Sequence, residues 1–471
     1  MKPYISKFIL LLTIALYGTT ASAQHFRSVY FIEGATYAHQ NNPAFMPERG
    51  YVSIPGLGKI NAGVQGNVGL SNFIFPYDDP EGKYSTVTFM NSAVNRDEFL
   101  SGLSSKNFIE MNIDLTPLSF GFFAWGGYNT FDVSVRSHSF FDIPYELFDF
   151  LKTGMDDIDG TSYSISNLRF SSTNYAEIAL GHSHKIDDKL KVGAKLKLLL
   201  GAGYVDANVS QLDLYMSKDK WELTSDASLN VGAGGGSFQT EVDENGNKIT
   251  GFDLGNAGLG GVGAGIDLGA TYKVIDNLIV SAAVLDLGFI SWKQTLQGAT
   301  INKTFTYEGF DDFKINTEDE DDPQSLGNQF SNLSDDLVGL INLYDEGAVS
   351  GEITGLASTI NIGADYTMPF YNKLSVGVLS STRLNKEYTW TEGRLGATVM
   401  PLEWFDFSLN YGISKHGSSM GWIMNIHPKG FNLFIGSDNM LTKVTPQFIP
   451  VNNLKANIYA GVNITFGEKQ E

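Results

Sequence analysis

Hydrophobic and polar residues alternate along most of this chain. Its C-terminal stretch, "KANIYAGVNITFGEKQE" (Lys455 to Glu471), sets Ile458, Ala460, Val462, Ile464 and Phe466 against Asn457, Tyr459, Gly461, Asn463 and Thr465. Further in, "KLKVGAKLKLLLG" (Lys189 to Gly201) puts Leu190, Val192, Ala194, Leu196, Leu198 and Leu200 on one face and Lys191, Gly193, Lys195 and Lys197 on the other. A period of two belongs to a strand, whose successive side chains point to opposite faces. At ~3.3 Å per residue, such a segment reaches ~40 Å, and tilted by about 40° it crosses a hydrocarbon core. The pattern recurs in roughly fourteen segments, with an error of about two.

The connections fall into two kinds. "DDK" (Asp187 to Lys189), "VIDN" (Val274 to Asn277), "YNKL" (Tyr371 to Leu374) and "PLEW" (Pro401 to Trp404) are tight turns, whereas 72–107, 232–256 and 303–357 are long and polar. Short turns at one end and long loops at the other characterise transmembrane barrels. Two helices interrupt the strands. "DIPYELFDFLKTG" (Asp142 to Gly154) offers Asp142 as cap, Pro144 in the first turn and Gly154 as stop. "NLSDDLVGLINLYDEG" (Asn332 to Gly347) carries Leu333, Leu337, Leu340, Ile341 and Tyr344 on one stripe, suited to covering the barrel mouth or lining a groove.

Composition narrows the choice of solvent. The 471 residues hold 32 Phe, 21 Tyr, 6 Trp and 51 Gly but no Cys. Acidic residues outnumber basic ones by 52 to 32, which argues against nucleic acid as a partner. Lys2 and Lys7, the apolar run Phe8–Tyr17 and "ASAQ" (Ala21 to Gln24) form an export signal cut after Ala23, so residues 1–23 are a signal peptide. No later apolar stretch is long enough for a membrane helix. Without disulfides, an exported chain of alternating strands is held by its core or by closure. In hydrocarbon an unpaired backbone group costs several kcal/mol, so strands survive there only in a closed barrel. The expectation is an all-β fold: a closed antiparallel transmembrane β-barrel of about fourteen strands over 51–471, with residues 24–50 as an N-terminal plug. Outer-membrane lipid meets the apolar faces.

On that reading Lys191, Lys195, Lys197 and Asp267 point into the lumen. Asp286 joins them, with Leu285, Leu287 and Phe289 in the opposite, outward phase. Charges on the lipid side would cost about 2–4 kcal/mol each near the midplane, whereas inside they can pair.

Other constellations are weaker than they look. "GLGGVG" (Gly258 to Gly263) has dinucleotide-loop spacing, but a strand rather than a helix follows it. His182 and His184 share a strand face with Ile178, Leu180 and Ile186, so they point outward and make no metal site. "VDENGNKI" (Val242 to Ile249) lacks the glycine and closing Glu of a calcium loop and reads as a hairpin turn. "EDEDD" (Glu318 to Asp322) is a solvated charge run. No catalytic constellation, metal set or cofactor is nominated.

Three stretches resemble a known superfamily: "GAGIDLGATYKVIDNLIVSAAVLDLGFISW" (Gly263 to Trp292), "YAHQNNPAFMPE" (Tyr37 to Glu48), and "IPYELFDFLKTG" followed by "YAEIALGHSHKIDDKLKVGAKLKLLLG". They look like parts of the FadL-type outer-membrane transporters, which include the PorV-like proteins of type IX secretion, and they look most like a Bacteroidetes branch. The resemblance implies a fourteen-stranded barrel with a plug, located in the bacterial outer membrane and passing or holding hydrophobic small molecules. It implies no enzyme activity. The alternative it carries is a docking barrel that binds a secretion-system or surface protein. Asn42, Pro43 and Ala44 map onto the family's plug motif.

Overall fold

A computed structural model describes residues 26–32, 34–77, 86–157, 159–243, 245–255, 258–300, 304–307, 342–385, 388–415, 417–439 and 454–467. The strands discussed below are, in chain order, β1 (Gly50–Ser53), β2 (Lys59–Gly66), β3 (Lys106–Ala124), β4 (Gly127–Pro144), β5 (Leu168–Lys185), β6 (Leu190–Met216), β7 (Trp221–Ala233), β8 (Ser237–Asp243), β9 (Gly246–Asp253), β10 (Gly261–Ile275), β11 (Leu278–Trp292) and β12 (Thr295–Ala299). They continue with β13 (Ser358–Thr367), β14 (Leu374–Leu384), β15 (Trp390–Leu402), β16 (Phe405–Ser414), β17 (Gly417–Ile426), β18 (Asn432–Ser437) and β19 (Lys455–Phe466).

These strands make a closed antiparallel barrel of 14 staves. The first stave is β1 and β2 in succession. It pairs on one side with β3, and on the other with β19, at Val52↔Ile464 and Ile60↔Ala460. The remaining staves are β3 to β6, β10, β11 and β13 to β19. The short connections, among them Trp125–Gly126, Asp187–Lys189 and Asp276–Asn277, lie at one end, as the sequence implies. At Trp125–Gly126 both φ angles are positive (54° and 73°), the geometry of a two-residue hairpin turn. Exposed aromatic residues gather at these turns: Trp125, Phe370, Tyr371, Trp404 and Phe431. Such a ring suits a membrane interface.

The alternation sorts the faces as expected. In β19, Ile458, Ile464 and Phe466 are exposed outward, while Tyr459, Asn463 and Thr465 are buried inward. Leu196, Leu198, Leu268, Ile362, Val378 and Leu395 extend the same outer apolar band. Among the described residues no helix is long and apolar enough to cross a membrane, which says nothing about crossing by strands.

The wall is uneven. β6 runs for 27 residues. Leu190 to Gly201 pairs with β10, and Gly203 to Met216 pairs with β7. Thus β7 and β10 form one column beside β6, and the hairpin β8–β9 leaves the wall between them. The stretch 232–256, expected as a loop, is therefore largely strand, and its Asp243–Gly246 turn matches the hairpin reading of "VDENGNKI". The "GLGGVG" segment leads into β10, again as expected.

Other details depart from expectation. Asp142 does not cap the first helix. It lies in β4, in register with Phe108 and Arg169, and helix α2 (Tyr145–Thr153) starts after Pro144 with no side-chain cap. Strand pairing claims the residue before the helix can begin. An unforeseen helix α1 (Arg96–Ser101), capped by Asn95, lies within 72–107 and is joined to α2 by Arg96–Asp149 at 2.9 Å. Of the second expected helix, Leu333, Leu337, Leu340 and Ile341 lie outside the described residues. Tyr344 is not helical: it opens the strand Tyr344–Val349, which pairs with β12. The "EDEDD" run and the expected signal peptide also lie outside the described residues.

Leu285 is a further correction. The register of β10 with β11 shifts from Ile266↔Leu287 to Leu268↔Val284, so Leu285 and Asp286 together oppose Asp267. Asp286 takes φ 57°, and both residues are buried. This bulge brings Leu285 inward and returns Leu287 and Phe289 to the outer face.

Placing a charge on the outer band tests its contact with lipid. Ile458→Lys should destabilise the barrel by about 2–4 kcal/mol if Ile458 lies near the midplane. Reversible urea unfolding in bilayers would measure this, and a cost near zero would count against a lipid-facing β19.

Candidate functional site

Residues 26–32 and 34–46 occupy the lumen through two single-turn 3₁₀ segments, Ser28–Phe31 and Ala38–Gln40. Their apolar side chains form the inner core: Phe26, Val29, Ile32 and Tyr37 pack with Tyr51, Phe434 and Tyr459 from the wall. Phe26 stacks on Tyr459 at 4.2 Å between ring centroids.

Polar contacts tie this plug to the wall on every side. The Asp438 carboxylate accepts from the Arg27 and Ser28 backbone N–H groups, each at 2.8 Å. Thr398 Oγ1 donates to Phe31 O at 2.7 Å, Thr36 Oγ1 to Asn432 Oδ1 at 2.8 Å, and Asn361 Nδ2 to Asn41 O at 3.0 Å. The Asn42-Pro43-Ala44 motif sits against β5, β6, β10 and β11. Asn42 Nδ2 donates to Ala270 O and Ala282 O, both at 3.3 Å, while its Oδ1 accepts from Ala44 N at 2.9 Å. Ser183 Oγ donates to Ala44 O at 3.2 Å. Two glycines make this seat. A Cβ on Gly193 would strike the Pro43 carbonyl, and one on Gly269 would strike the Asn42 side chain.

The inward charges are paired. Lys197 Nζ lies 2.8 Å from Asp267, 2.5 Å from Asp286 and 3.7 Å from Glu177. Arg136 continues this cluster, 3.2 Å from Glu177 and 3.6 Å from Asp286. Lys195 bonds Asp132 at 2.8 Å; Asp132 also accepts from Ser119 Oγ at 2.6 Å and meets His39 Nε2, from the plug, at 3.3 Å. Lys59 holds Asp114 and the plug residue Gln40. Arg394 holds Glu392 and lies 3.8 Å from Asp438. Thus Lys195, Lys197, Asp267 and Asp286 all meet in the lumen, and Lys191 takes the same phase, half-buried nearer the short turns. Their partners Asp132, Arg136 and Glu177 were not singled out from sequence. A usable signal existed in "FDVSVRSH", where Asp132, Ser134, Arg136 and His138 share one phase. His182 and His184 do face outward, with ring centroids 5.7 Å apart, and His182 Nδ1 bonds Asn129 Oδ1 at 2.9 Å.

Two features bear on passage. A cavity of about 310 Å³ lies on the long-loop side of the ion pairs. It is bounded by Asn112, Arg136, His138, Arg383, Tyr175 and Tyr204, among others. The second is a seam in the wall. β2 and β3 are in register only at Lys59↔Thr116 and Gly66↔Ile109, so the residues between those pairs, 60–65 and 110–115, form no ladder with each other. A small void of about 20 Å³ beside β2 is lined by Asn61, Gly63, Val64 and Gln65, by Asn112 of β3, by the plug residue Arg27, and by Asp438, Asn439, Ala456 and Asn457. Asn112 lies on the lining of both spaces.

These features define a class: a closed fourteen-stave β-barrel with an internal plug, an apolar outer band and a charge-paired lumen. Residues 43–438 match the model of the family described as "Family of unknown function (DUF5723)", and the chain belongs to that family. No curated protein matches it. Similar solved structures include the toluene transporter TbuX of Ralstonia pickettii, 10% identical, with 96% of each chain covered and a TM-score of 0.39. A structure of the Pseudomonas putida toluene transporter TodX is 10% identical, covering 95% of this chain and 97% of that one, with a TM-score of 0.42. A Pseudomonas aeruginosa FadL homologue is 8% identical over 95% of this chain and 98% of its own, with a TM-score of 0.35.

Removing one member of a buried pair strands the other. Asp132→Ala should cost about 3–5 kcal/mol, because Lys195 is left charged in the lumen. Asp132→Leu combined with Lys195→Met should cost less than Asp132→Ala alone. Urea unfolding of all three proteins in micelles would check the order, and equal losses would contradict the pairing.

Proposed function

We propose that the protein is an outer-membrane barrel through which small hydrophobic molecules pass by diffusion, without catalysis or cofactor. The observation that carries this reading is the seam between β2 and β3, with Asn112 of β3 on the lining of both the lumen cavity and the small void. In hydrocarbon a strand pair without its ladder is costly, because neither lipid nor water satisfies the backbone groups. A seam here is a weak place in the wall, one that a ligand can part without breaking a continuous ladder. The route runs from the long-loop side into the cavity, past Asn112, and sideways between Ala62 and Ile113 into the bilayer. It skirts the plug at Arg27, so the plug can remain anchored. Asn42, Pro43 and Ala44 then serve to fix the plug against β5, β6, β10 and β11. Lys191, Lys195, Lys197, Asp267 and Asp286 hold the lumen in shape rather than select solutes. The apolar outer band and the aromatic residues at the short turns support a bacterial outer-membrane location.

One observation favours a second reading, a sealed barrel that docks a protein partner. The plug is bonded on all sides and ion pairs cross the lumen, so the axial path is closed. In that case the tall sheet of β6 to β9 would be the surface on offer.

Stapling the seam separates the two. Cysteines at Ala62→Cys and Ile113→Cys should, once oxidised, stop uptake of toluene into vesicles carrying the barrel, and reduction should restore it. Equal uptake by stapled, reduced and protein-free vesicles would overturn passage through the seam and leave the docking reading.

A further inference from the structure

We infer that the outer wall holds one phospholipid molecule, its phosphate on Lys373 and its acyl chains in a groove that crosses β10, β11 and β13 to β16. The groove has a volume of about 1000 Å³ and lies outside the lumen. It rests on the barrel's place in the membrane, not on the transport reading.

The cross-strand register builds the groove. Ala270, Ala282, Ile362, Ser380 and Gly393 stand in one row on the outer face, and all but Ile362 are small. The next row toward the short turns ends in Tyr272 on one flank and Tyr411 on the other, with Ala364 between them. A Cβ on Gly393 would meet open space. The inner face of the same wall is bare as well. A Cβ on Gly363 would strike Tyr30 of the plug, and one on Gly377 or Gly396 would strike Phe31. Here the wall sits on the plug with no layer of side chains between them, and its outer surface is hollow. The lumen-phase polar residues that border the groove, Thr271, Ser281 and Arg394, are buried; Ser281 bonds Tyr30 and Arg394 holds Glu392. The exposed side chains are mostly carbon, as at Ile362, Val378 and Leu395.

Two observations identify the occupant. The first is continuity: the groove belongs to the outer apolar band, so at this depth it meets acyl chains, and an empty hollow would forfeit their dispersion contacts. The second is charge. Lys373 is exposed in the turn between β13 and β14, two of the strands that form the groove. Its Nζ donates to Pro401 O at 3.2 Å, and among the described residues no carboxylate lies within 4 Å of it. Lys273, at the end of β10, is already paired with Asp276 at 3.0 Å. Val378 is five residues along β14 from Lys373, ~17 Å of strand, or ~13 Å of depth at a tilt of about 40°. That lies within one leaflet of a ~30 Å core. Exposed Phe370, Tyr371 and Trp404 mark the interface at the same turns. A cation at the interface below an apolar hollow fits a phosphodiester head with its chains attached. Counting the stave β1–β2 as the first of 14, the groove spans the sixth to the eleventh, opposite the β2–β3 seam, so a lipid seated there leaves the seam free.

Native mass spectrometry of the full barrel tests this. Barrels reconstituted in 1-palmitoyl-2-oleoylphosphatidylglycerol vesicles and extracted in mild detergent should keep one lipid per chain. Gly393→Leu combined with Ser380→Leu fills the groove from outside and should lower the retained fraction at least fivefold. Lys373→Gln, in an exposed turn, should lower it at least threefold, and should leave retention of 1-palmitoyl-2-oleoylglycerol, which has no phosphate, unchanged. Urea unfolding midpoints within error of the unaltered barrel would show that the variants fold. No retained lipid on the unaltered barrel, equal retention after Lys373→Gln, or a lipid-free dimer that the two leucines break apart would overturn the inference.

Discussion

A strand that crosses hydrocarbon has nowhere to put its backbone hydrogen bonds except on neighbouring strands. That constraint organises the whole molecule. It forces β19 back onto β1 and β2, so that the sheet has no edge at membrane depth. It also reverses the usual placement of side chains. Apolar groups such as Leu196, Val378 and Ile464 face outward, and the charged ones are confined inside. Confinement then imposes its own demand, because a buried charge is tolerated only beside its opposite. The lumen answers with Lys197 among Asp267, Asp286 and Glu177, and with Lys195 on Asp132.

The plug follows from the same demand. A lumen lined by Asn, Ser, Thr and ion pairs would need many ordered waters if left empty. Residues 26–46 replace them with backbone carbonyls and N–H groups, as where Asp438 receives two successive backbone donors. Close seating needs thin walls, hence the bare backbone at Gly193 and Gly269 under Asn42 and Pro43.

Much of this was legible in the chain, because the information is local. Period-two alternation in β6 and β19 gave strand, face and solvent together, and the inward phase of Lys195, Lys197 and Asp267 followed from it. What stayed hidden depends on pairing across strands. The partners Asp132 and Glu177 lie 63 and 20 residues from Lys195 and Lys197, and only the register of β4 against β5, and β5 against β6, brings them together. The inward turn of Leu285 depends on a bulge set by the mismatch of β10 and β11. Asp142 had good capping chemistry but was claimed by the ladder. Tyr344 was read as the end of a helical stripe, and its pairing with β12 has no local signature. The cavity and the seam are properties of the closed wall and have no local signature.

The staves differ greatly in length, 27 residues in β6 and 19 in β3 against 10 in β13 and in β16. At ~3.3 Å per residue, the part of β6 beyond Gly203 adds ~40 Å of extended chain on one flank alone. Counting only these ordered strands, the mouth is cut on a slant. Among the described strands, the flank at β6 stands tall and the flank at β13 to β16 is low, so the barrel has two unlike sides in the plane of the membrane.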